Sequence, residues 1–145
     1  MSRALAREDA FKLVFEMKIL DITANDALEY LYKTAQKSNE MWAQNFVSSA
    51  SRKYIEDIVT GVAEKEEELN EIITSKLKDW TIQRLSKVNL ALLQLSIYEI
   101  KYMEDIPYKV SANEAIKLAK KYGENESSAF INGVLGAVIN ELEGN

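Results

Sequence analysis

Histidine and cysteine are both absent from this chain of 145 residues, and only one proline and five glycines are present. Without cysteine the chain cannot form a disulfide, a thiolate nucleophile or a cysteine-bound zinc site. Without histidine it has no Ser-His-Asp triad, no facial-triad iron site and no imidazole to transfer protons near neutral pH. Much of enzyme chemistry is therefore excluded, and no cofactor or metal is predicted.

Long hydrophobic runs are missing as well. No segment approaches the ~18 consecutive apolar residues that a membrane span requires. The N-terminus becomes charged within nine residues and lacks the apolar core of a signal peptide. The sequence therefore predicts a cytoplasmic protein without a membrane partner, and its length fits a single domain over residues 1–145.

The charge is negative overall but unevenly distributed. With 18 basic and 23 acidic residues the net charge is −5, which argues mildly against nonspecific nucleic-acid binding. Residues 51–80 contain five basic and eight acidic side chains, whereas residues 81–121 contain seven basic and four acidic ones. The net value thus averages over surfaces of different character.

The scarcity of proline and the abundance of Ala, Leu, Glu and Lys predict an all-α fold. Apolar spacing predicts helices over residues 3–20 and 25–34, one long third helix over 55–77, and a final helix over 127–142. The stretch 37–44 is predicted to be a loop. An especially apolar helix follows Ser86, and because apolar side chains cover more than one of its faces we expect it to be central.

Four helix boundaries have recognisable signals. Ser86 is predicted to cap the central helix, and Pro107 to mark the break that follows it. Ser111 and Glu114 have the spacing of a capping box at the start of the next helix. Gly123 is predicted to end that helix in a left-handed conformation.

Catalytic and phosphate-binding patterns are lacking. Gly133 and Gly136 stand three apart without the lysine or preceding strand of a phosphate loop, so we expect them to let two helices approach closely. The acidic run over residues 64–68 is interpreted as a solvated helix face. No pair of carboxylates is placed for acid/base catalysis.

Basic and polar side chains suggest a binding function. Arg3 and Arg7 lie four apart on the first helix, where their stems either cover the rim of a bundle or carry guanidinium groups to phosphates and bases. Lys121 belongs to a basic face with two neighbouring lysines. Ser127 either caps the last helix or joins its N-terminus in holding a phosphate. Phe130 either packs in the core or stacks on a base.

Two runs of residues indicate a relationship to a known family far more specifically than the composition does. Residues 107–123, PYKVSANEAIKLAKKYG, and residues 130–135, FINGVL, resemble the signature of the bacterial NusB family of transcription antitermination factors. Supporting matches occur along the whole chain in the right order, among them Ala6-Arg7-Glu8, Trp80, Arg84-Leu85-Ser86 and Tyr98-Glu99.

The resemblance implies about seven helices that form two small packed helical bundles. It also implies a protein that is not an enzyme. The expected partners are single-stranded boxA leader RNA, the ribosomal small-subunit protein that acts as NusE, and the RNA polymerase elongation complex with other Nus factors, mainly in ribosomal RNA operons.

By position, the resemblance assigns RNA contacts to Arg3, Arg7, Glu126 and Phe130, and we add Lys121 and Ser127 from the reasoning above. It assigns partner contacts to Asn89 and Tyr108. The family usually has an acidic residue where this chain has Asn89. The alternatives are a protein-interaction module that has lost RNA contact, suggested by the negative charge and the sparse arginines, and a carboxylate-dependent enzyme.

Overall fold

The structure is a computed structural model that describes residues 3–37, 49–78 and 80–144. Within those ranges there is no strand, which confirms the predicted all-α fold. Apart from Lys37, the predicted loop over 37–44 lies outside the described residues. The elements, numbered here in chain order, are α1 (Arg3–Leu20), α2 (Ala24–Lys37), α3 (Ser49–Glu64), α4 (Glu66–Lys76), a 3₁₀ turn (Ile82–Arg84), α5 (Lys87–Tyr102), α6 (Tyr108–Tyr122) and α7 (Ser127–Glu143).

The helices form two compact units, residues 1–64 and 65–145. In the first unit α1 packs against α2 and α3. Its core is apolar and comes mainly from α1 and α3, with Phe11, Val14, Ile55, Ile58 and Val59 all almost completely buried. The two units agree with the two bundles that the resemblance implies. That residues 1–145 form a single domain stays a prediction.

In the second unit α5 is central and packs against α4, α6 and α7. Every side chain from Ala91 to Ile97 is buried, because neighbouring helices cover more than one face of α5. This confirms the position predicted from its apolar pattern. Near its end, the buried Glu99 carboxylate accepts a hydrogen bond of 2.8 Å from the hydroxyl of Ser111, which connects α5 to α6.

The prediction of one long third helix is wrong. The helix ends at Glu64, and a new one begins at Glu66 after Lys65, whose φ of −104° and ψ of 15° depart from helical geometry. Gly61 lies within α3 and does not interrupt it. The break falls between buried Val62 and buried Leu69, where the intervening residues have no buried side chain to hold them against a core. Val62 belongs to the core of the first unit and Leu69 to that of the second.

At the ends of α5 two boundary predictions are confirmed. The hydroxyl oxygen of Ser86 accepts a hydrogen bond of 3.1 Å from the backbone N–H of Asn89, as an N-cap does. Pro107 stands at the break between α5 and α6, in the extended conformation with φ −60° and ψ 144°.

The prediction of a capping box at Ser111 and Glu114 is wrong. Helix α6 begins one turn earlier, at Tyr108, because the backbone carbonyl of Pro107 already accepts bonds from the N–H groups of Val110 and Ser111. Ser111 is therefore inside the helix and bonded to Glu99, while Glu114 forms an ion pair of 3.3 Å with Lys117.

Gly123 is not left-handed, since its φ is −92° and its ψ −178°. Its role is steric: a Cβ here would lie 2.6 Å from both Cβ and Oγ of Ser127 and 2.8 Å from the carbonyl oxygen of Ala119. The predicted close helix approach at Gly133 and Gly136 is also wrong, because a Cβ at either would meet no atom of another helix within 4 Å. Glycine is therefore sterically required at the start of the turn between α6 and α7.

Because Asp9 is half-buried on α1, we expect its carboxyl to make the stability of the protein depend on pH. Burial raises the pKa of its carboxyl from 3.8 to about 6; Lys12 opposes this and Glu8 adds to it. The native state therefore binds the proton more tightly than the unfolded chain, so stability falls as pH rises from about 4 to about 6. We expect Asp9→Asn to raise the midpoint of thermal unfolding at pH 7.5 and to leave it unchanged at pH 3.5. Equal effects at both pH values would contradict this assignment.

Candidate nucleic-acid interface

A cleft of about 440 Å³ opens in the second unit. It lies where the 3₁₀ turn and the first turn of α5 meet the loop before α7 and the first turn of α7. Its lining residues are Trp80, Arg84, Leu85, Ser86, Asn89, Glu124, Glu126, Ser127 and Phe130. The cleft thus joins chain segments that are about 40 positions apart in the sequence.

One side of the cleft carries an aromatic ring with a cation. The Trp80 side chain is 54% exposed, and the guanidinium carbon of Arg84 lies over its ring, 5.5 Å from the centroid. This is within the ~6 Å range of a cation–π interaction. Phe130, half-buried on α7, adds a second ring to the lining. Aromatic faces and a guanidinium group are the side chains on which unpaired bases stack.

The starts of two helices also line the cleft. Leu85 is a buried residue of the lining, and Ser86 caps α5. Asn89 has a side-chain carbonyl oxygen that is buried without a hydrogen-bond partner among the described residues. Such an acceptor is costly to leave unsatisfied, so it favours an occupant that can donate a hydrogen bond.

The lining also contains acidic residues. Glu124 and Glu126 lie in the short loop before α7 and line the cleft with their neighbours. The loop is held by Ser127, whose hydroxyl oxygen accepts a hydrogen bond of 3.1 Å from the backbone N–H of Glu124. Ser127 is 5% exposed and starts α7 without capping it; Glu126 occupies the N-cap position and makes no side-chain capping bond. Of the two alternatives considered for Ser127, capping of the last helix is therefore wrong, because the hydroxyl accepts a bond within the loop.

The two predicted arginines lie in the first unit, against one tyrosine of α3. The guanidinium carbon of Arg3 is 4.9 Å from the centroid of the Tyr54 ring, and that of Arg7 is 5.7 Å from it. Arg3 is an exposed residue, but Arg7 is only 2% exposed. Of the two interpretations considered for this pair, the interpretation with both guanidinium groups projecting into solvent does not describe Arg7.

The structure brings together four of the eight predicted site residues, since Asn89, Glu126, Ser127 and Phe130 line the same cleft. Lys121 is exposed on α6, with its ammonium 5.4 Å from the ring centroid of Tyr122, and Tyr108 is half-buried at the start of α6. Neither lines the cleft. That the eight residues contact RNA or a partner stays a prediction.

Sequence reasoning did not assign five of the cleft residues to a site, and two of these, Trp80 and Arg84, carry the aromatic ring and the cation. In the sequence, Trp80 and Arg84 stood out only as matches to the family pattern, and nothing there showed that they share a site. A large exposed aromatic next to an arginine is the signal that could have identified them.

Over residues 3–37, 49–78 and 80–144, no group of three or more carboxylate side chains is placed to hold a metal ion. In the same ranges no helix is both long and apolar enough to cross a membrane.

Comparison with known proteins identifies the family. The model of the NusB family matches residues 4–140. A transcription antitermination protein NusB from Clostridium botulinum, strain Hall, is 44% identical over 144 residues, covering 96% of this chain and all of that protein. A protein of the same description from Clostridium acetobutylicum is 42% identical over 143 residues, covering 99% of this chain and 98% of that protein.

Solved structures agree with the sequence relatives. T. maritima NusB superposes with a TM-score of 0.78 at 25% identity, covering 97% of this chain and 92% of that chain. A chain from a crystal structure of the antitermination factors NusB and NusE with double-stranded RNA has a TM-score of 0.75 at 22% identity, covering 94% of each chain. The chain described here therefore belongs to the NusB family of transcription antitermination proteins, which act by binding and are not enzymes.

Proposed function

We propose that this antitermination factor binds single-stranded boxA leader RNA together with the ribosomal small-subunit protein that acts as NusE. The assembly joins RNA polymerase and other Nus factors in the cytoplasm and suppresses premature termination, mainly in ribosomal RNA operons. The observation that carries the proposal is the cleft in which Trp80, Arg84 and Phe130 stand beside two helix starts. Rings and a guanidinium group suit unpaired bases, and helix N-termini suit phosphates.

The same cleft also offers a contact for the partner protein. Asn89 supplies a buried carbonyl oxygen that needs a hydrogen-bond donor. Glu124 and Glu126 supply negative charge. A basic protein surface provides both a donor and positive charge, so we propose that the partner contacts the Asn89 side of the cleft while RNA contacts the Trp80 side.

Titration of fluorescently labelled boxA-like RNA tests the proposal, with and without the purified ribosomal partner. We expect tight binding only when the partner is present, because the net charge of −5 and the two acidic side chains of the cleft disfavour RNA binding by this protein alone. An RNA of the same length with a scrambled sequence is the control. Equal affinity for both RNAs would contradict boxA recognition.

Arg3→Ala adds a second test of the same complex. Arg3 is an exposed basic residue in the first unit, so its loss removes about one phosphate contact. We expect the slope of log K against log salt concentration to fall by about 1. Lys33→Ala is a matched control, because Lys33 is also an exposed basic residue of the first unit but was not assigned to the site. An unchanged slope would remove Arg3 from the RNA interface.

The second candidate is a protein-interaction module without RNA contact. The acidic residues of the lining favour it, since Glu124 and Glu126 repel phosphate. In the titration above this candidate predicts that the ribosomal partner binds but that labelled RNA never does.

A further inference from the structure

Tyr54 of α3 is a buried ring that two cations share. Its side chain is 2% exposed, and both Arg3 and Arg7 place their guanidinium carbons within 6 Å of the ring centroid. The two arginines lie four positions apart on α1, so they emerge from adjacent turns of one helix face. The contact therefore connects the start of α1 to α3 inside the first unit.

The two arginines differ in access to solvent. Arg7 is almost completely buried, so it cannot meet a phosphate unless it leaves the ring and its burial site. Arg3 is exposed while its guanidinium carbon lies closer to the same ring, at 4.9 Å against 5.7 Å. Equal roles for the two side chains in RNA binding do not fit this geometry.

We infer that Tyr54 is a positioning residue for RNA binding: its ring orients the guanidinium of Arg3, an exposed residue, where RNA would meet it, while Arg7 stays buried against the same ring. This inference rests on the proposed RNA-binding function. It divides the arginine pair into one RNA contact, Arg3, and one residue that acts inside the fold, Arg7.

The physical reason is preorganisation. A free arginine side chain has considerable rotamer freedom, which it loses when it binds a phosphate. A guanidinium already held over a ring has lost part of that freedom before RNA arrives. The attraction to the ring involves the charge of the guanidinium and does not by itself use up its N–H donors, which lie in the guanidinium plane.

A double-mutant cycle on RNA affinity tests the inference, with the ribosomal partner present throughout. The variants are Tyr54→Leu, Arg3→Ala and the pair together. We expect Tyr54→Leu to weaken RNA binding roughly 5-fold when Arg3 is present, and to change it less than about 1.5-fold when Arg3 is alanine. Tyr54→Phe keeps the ring and is expected to bind RNA like the wild type.

If Tyr54→Leu does not fold, a fluorinated ring at position 54 provides a second test of the inference. Trifluorophenylalanine at position 54 keeps the shape and burial of an aromatic ring but weakens the negative charge of its face. We expect weaker RNA binding than for Tyr54→Phe when Arg3 is present, and no difference between the two rings when Arg3 is alanine. A purely structural ring would show no such dependence on Arg3.

The variant Arg7→Met tests whether the two arginines have different roles. Methionine fills a similar buried volume without charge, and we expect the salt dependence of RNA binding to remain that of the wild type, whereas Arg3→Ala lowers its slope by about 1. A lowered slope for Arg7→Met would overturn the division of roles. Equal losses on ring substitution with and without Arg3 would overturn the positioning role alone. Failure of the wild-type complex to bind boxA RNA would overturn the proposed function and this inference with it.

Discussion

Gly123→Ala is expected to lower the free energy of unfolding by about 2 kcal/mol, in the middle of the range for overpacked sites. The backbone is not the cause, since φ −92° and ψ −178° suit any residue. The new Cβ would lie 2.6 Å from Cβ and Oγ of Ser127 and 2.8 Å from the carbonyl oxygen of Ala119. Because a main-chain carbonyl cannot rotate away as a side chain can, the backbone at the C-terminal end of α6 must shift, and Ser127 at the start of α7 must move as well. Urea unfolding measures the loss.

Gly133→Ala is the matched control. Gly133 lies in the interior of α7, and its added Cβ would meet no atom of another helix within 4 Å. We expect this variant to be more stable than the wild type by up to about 1 kcal/mol, because alanine loses less backbone freedom than glycine in a helix. Gly123→Ala within about 0.5 kcal/mol of the wild type would contradict the steric account. Ser127→Gly added to Gly123→Ala should recover part of the loss, since it removes two of the three close contacts.

Trp80→Ala is expected to weaken the binding of boxA RNA by the partner complex about 10-fold to 100-fold, the range measured for loss of one base-stacking ring. The side chain is 54% exposed, and its removal also frees the Arg84 guanidinium that now lies over the ring. The substitution should change stability little because most of the ring is already in water. Fluorescence anisotropy at fixed salt concentration measures the affinity.

Tyr30→Ala provides the control for Trp80. Tyr30 is a comparably exposed aromatic residue, at 65%, but it lies on α2 in the first unit and does not line the cleft. We expect its RNA affinity to equal that of the wild type. If Trp80→Ala and Tyr30→Ala were equally harmless, the Trp80 side of the cleft would not be an RNA surface, and the Asn89 side would remain to be tested for partner binding.

Local signals predicted much of the fold. The first helix was predicted over residues 3–20 and occupies Arg3–Leu20, and the last was predicted over 127–142 and occupies Ser127–Glu143. Ser86 caps α5 as expected, because an N-cap needs only a hydroxyl and an N–H three residues away. Such features depend on neighbours in the sequence, which the sequence itself displays.

Signals of the same kind failed where a distant contact competed with them. Ser111 has the spacing of a cap but bonds to Glu99, twelve positions earlier on another helix. Gly123 has the position at which a left-handed residue often ends a helix. Glycine is required there for a different reason, because a Cβ would clash with Ser127. The third helix continues its apolar pattern past Lys65, yet the residues on either side of the break belong to different cores.

By itself the sequence determined the helical class, most helix boundaries, the absence of histidine and cysteine chemistry, and the resemblance that the family match confirmed. Only the tertiary structure decided which residues share a site. It placed Trp80 and Arg84 beside Phe130, about 50 positions away, and buried Arg7 against Tyr54 while leaving Arg3 exposed. Helix propensity and capping act within one or two turns of a helix. A cleft, or a ring shared by two side chains, arises from the packing of whole helices, and the spacing of residues along one helix does not determine that packing.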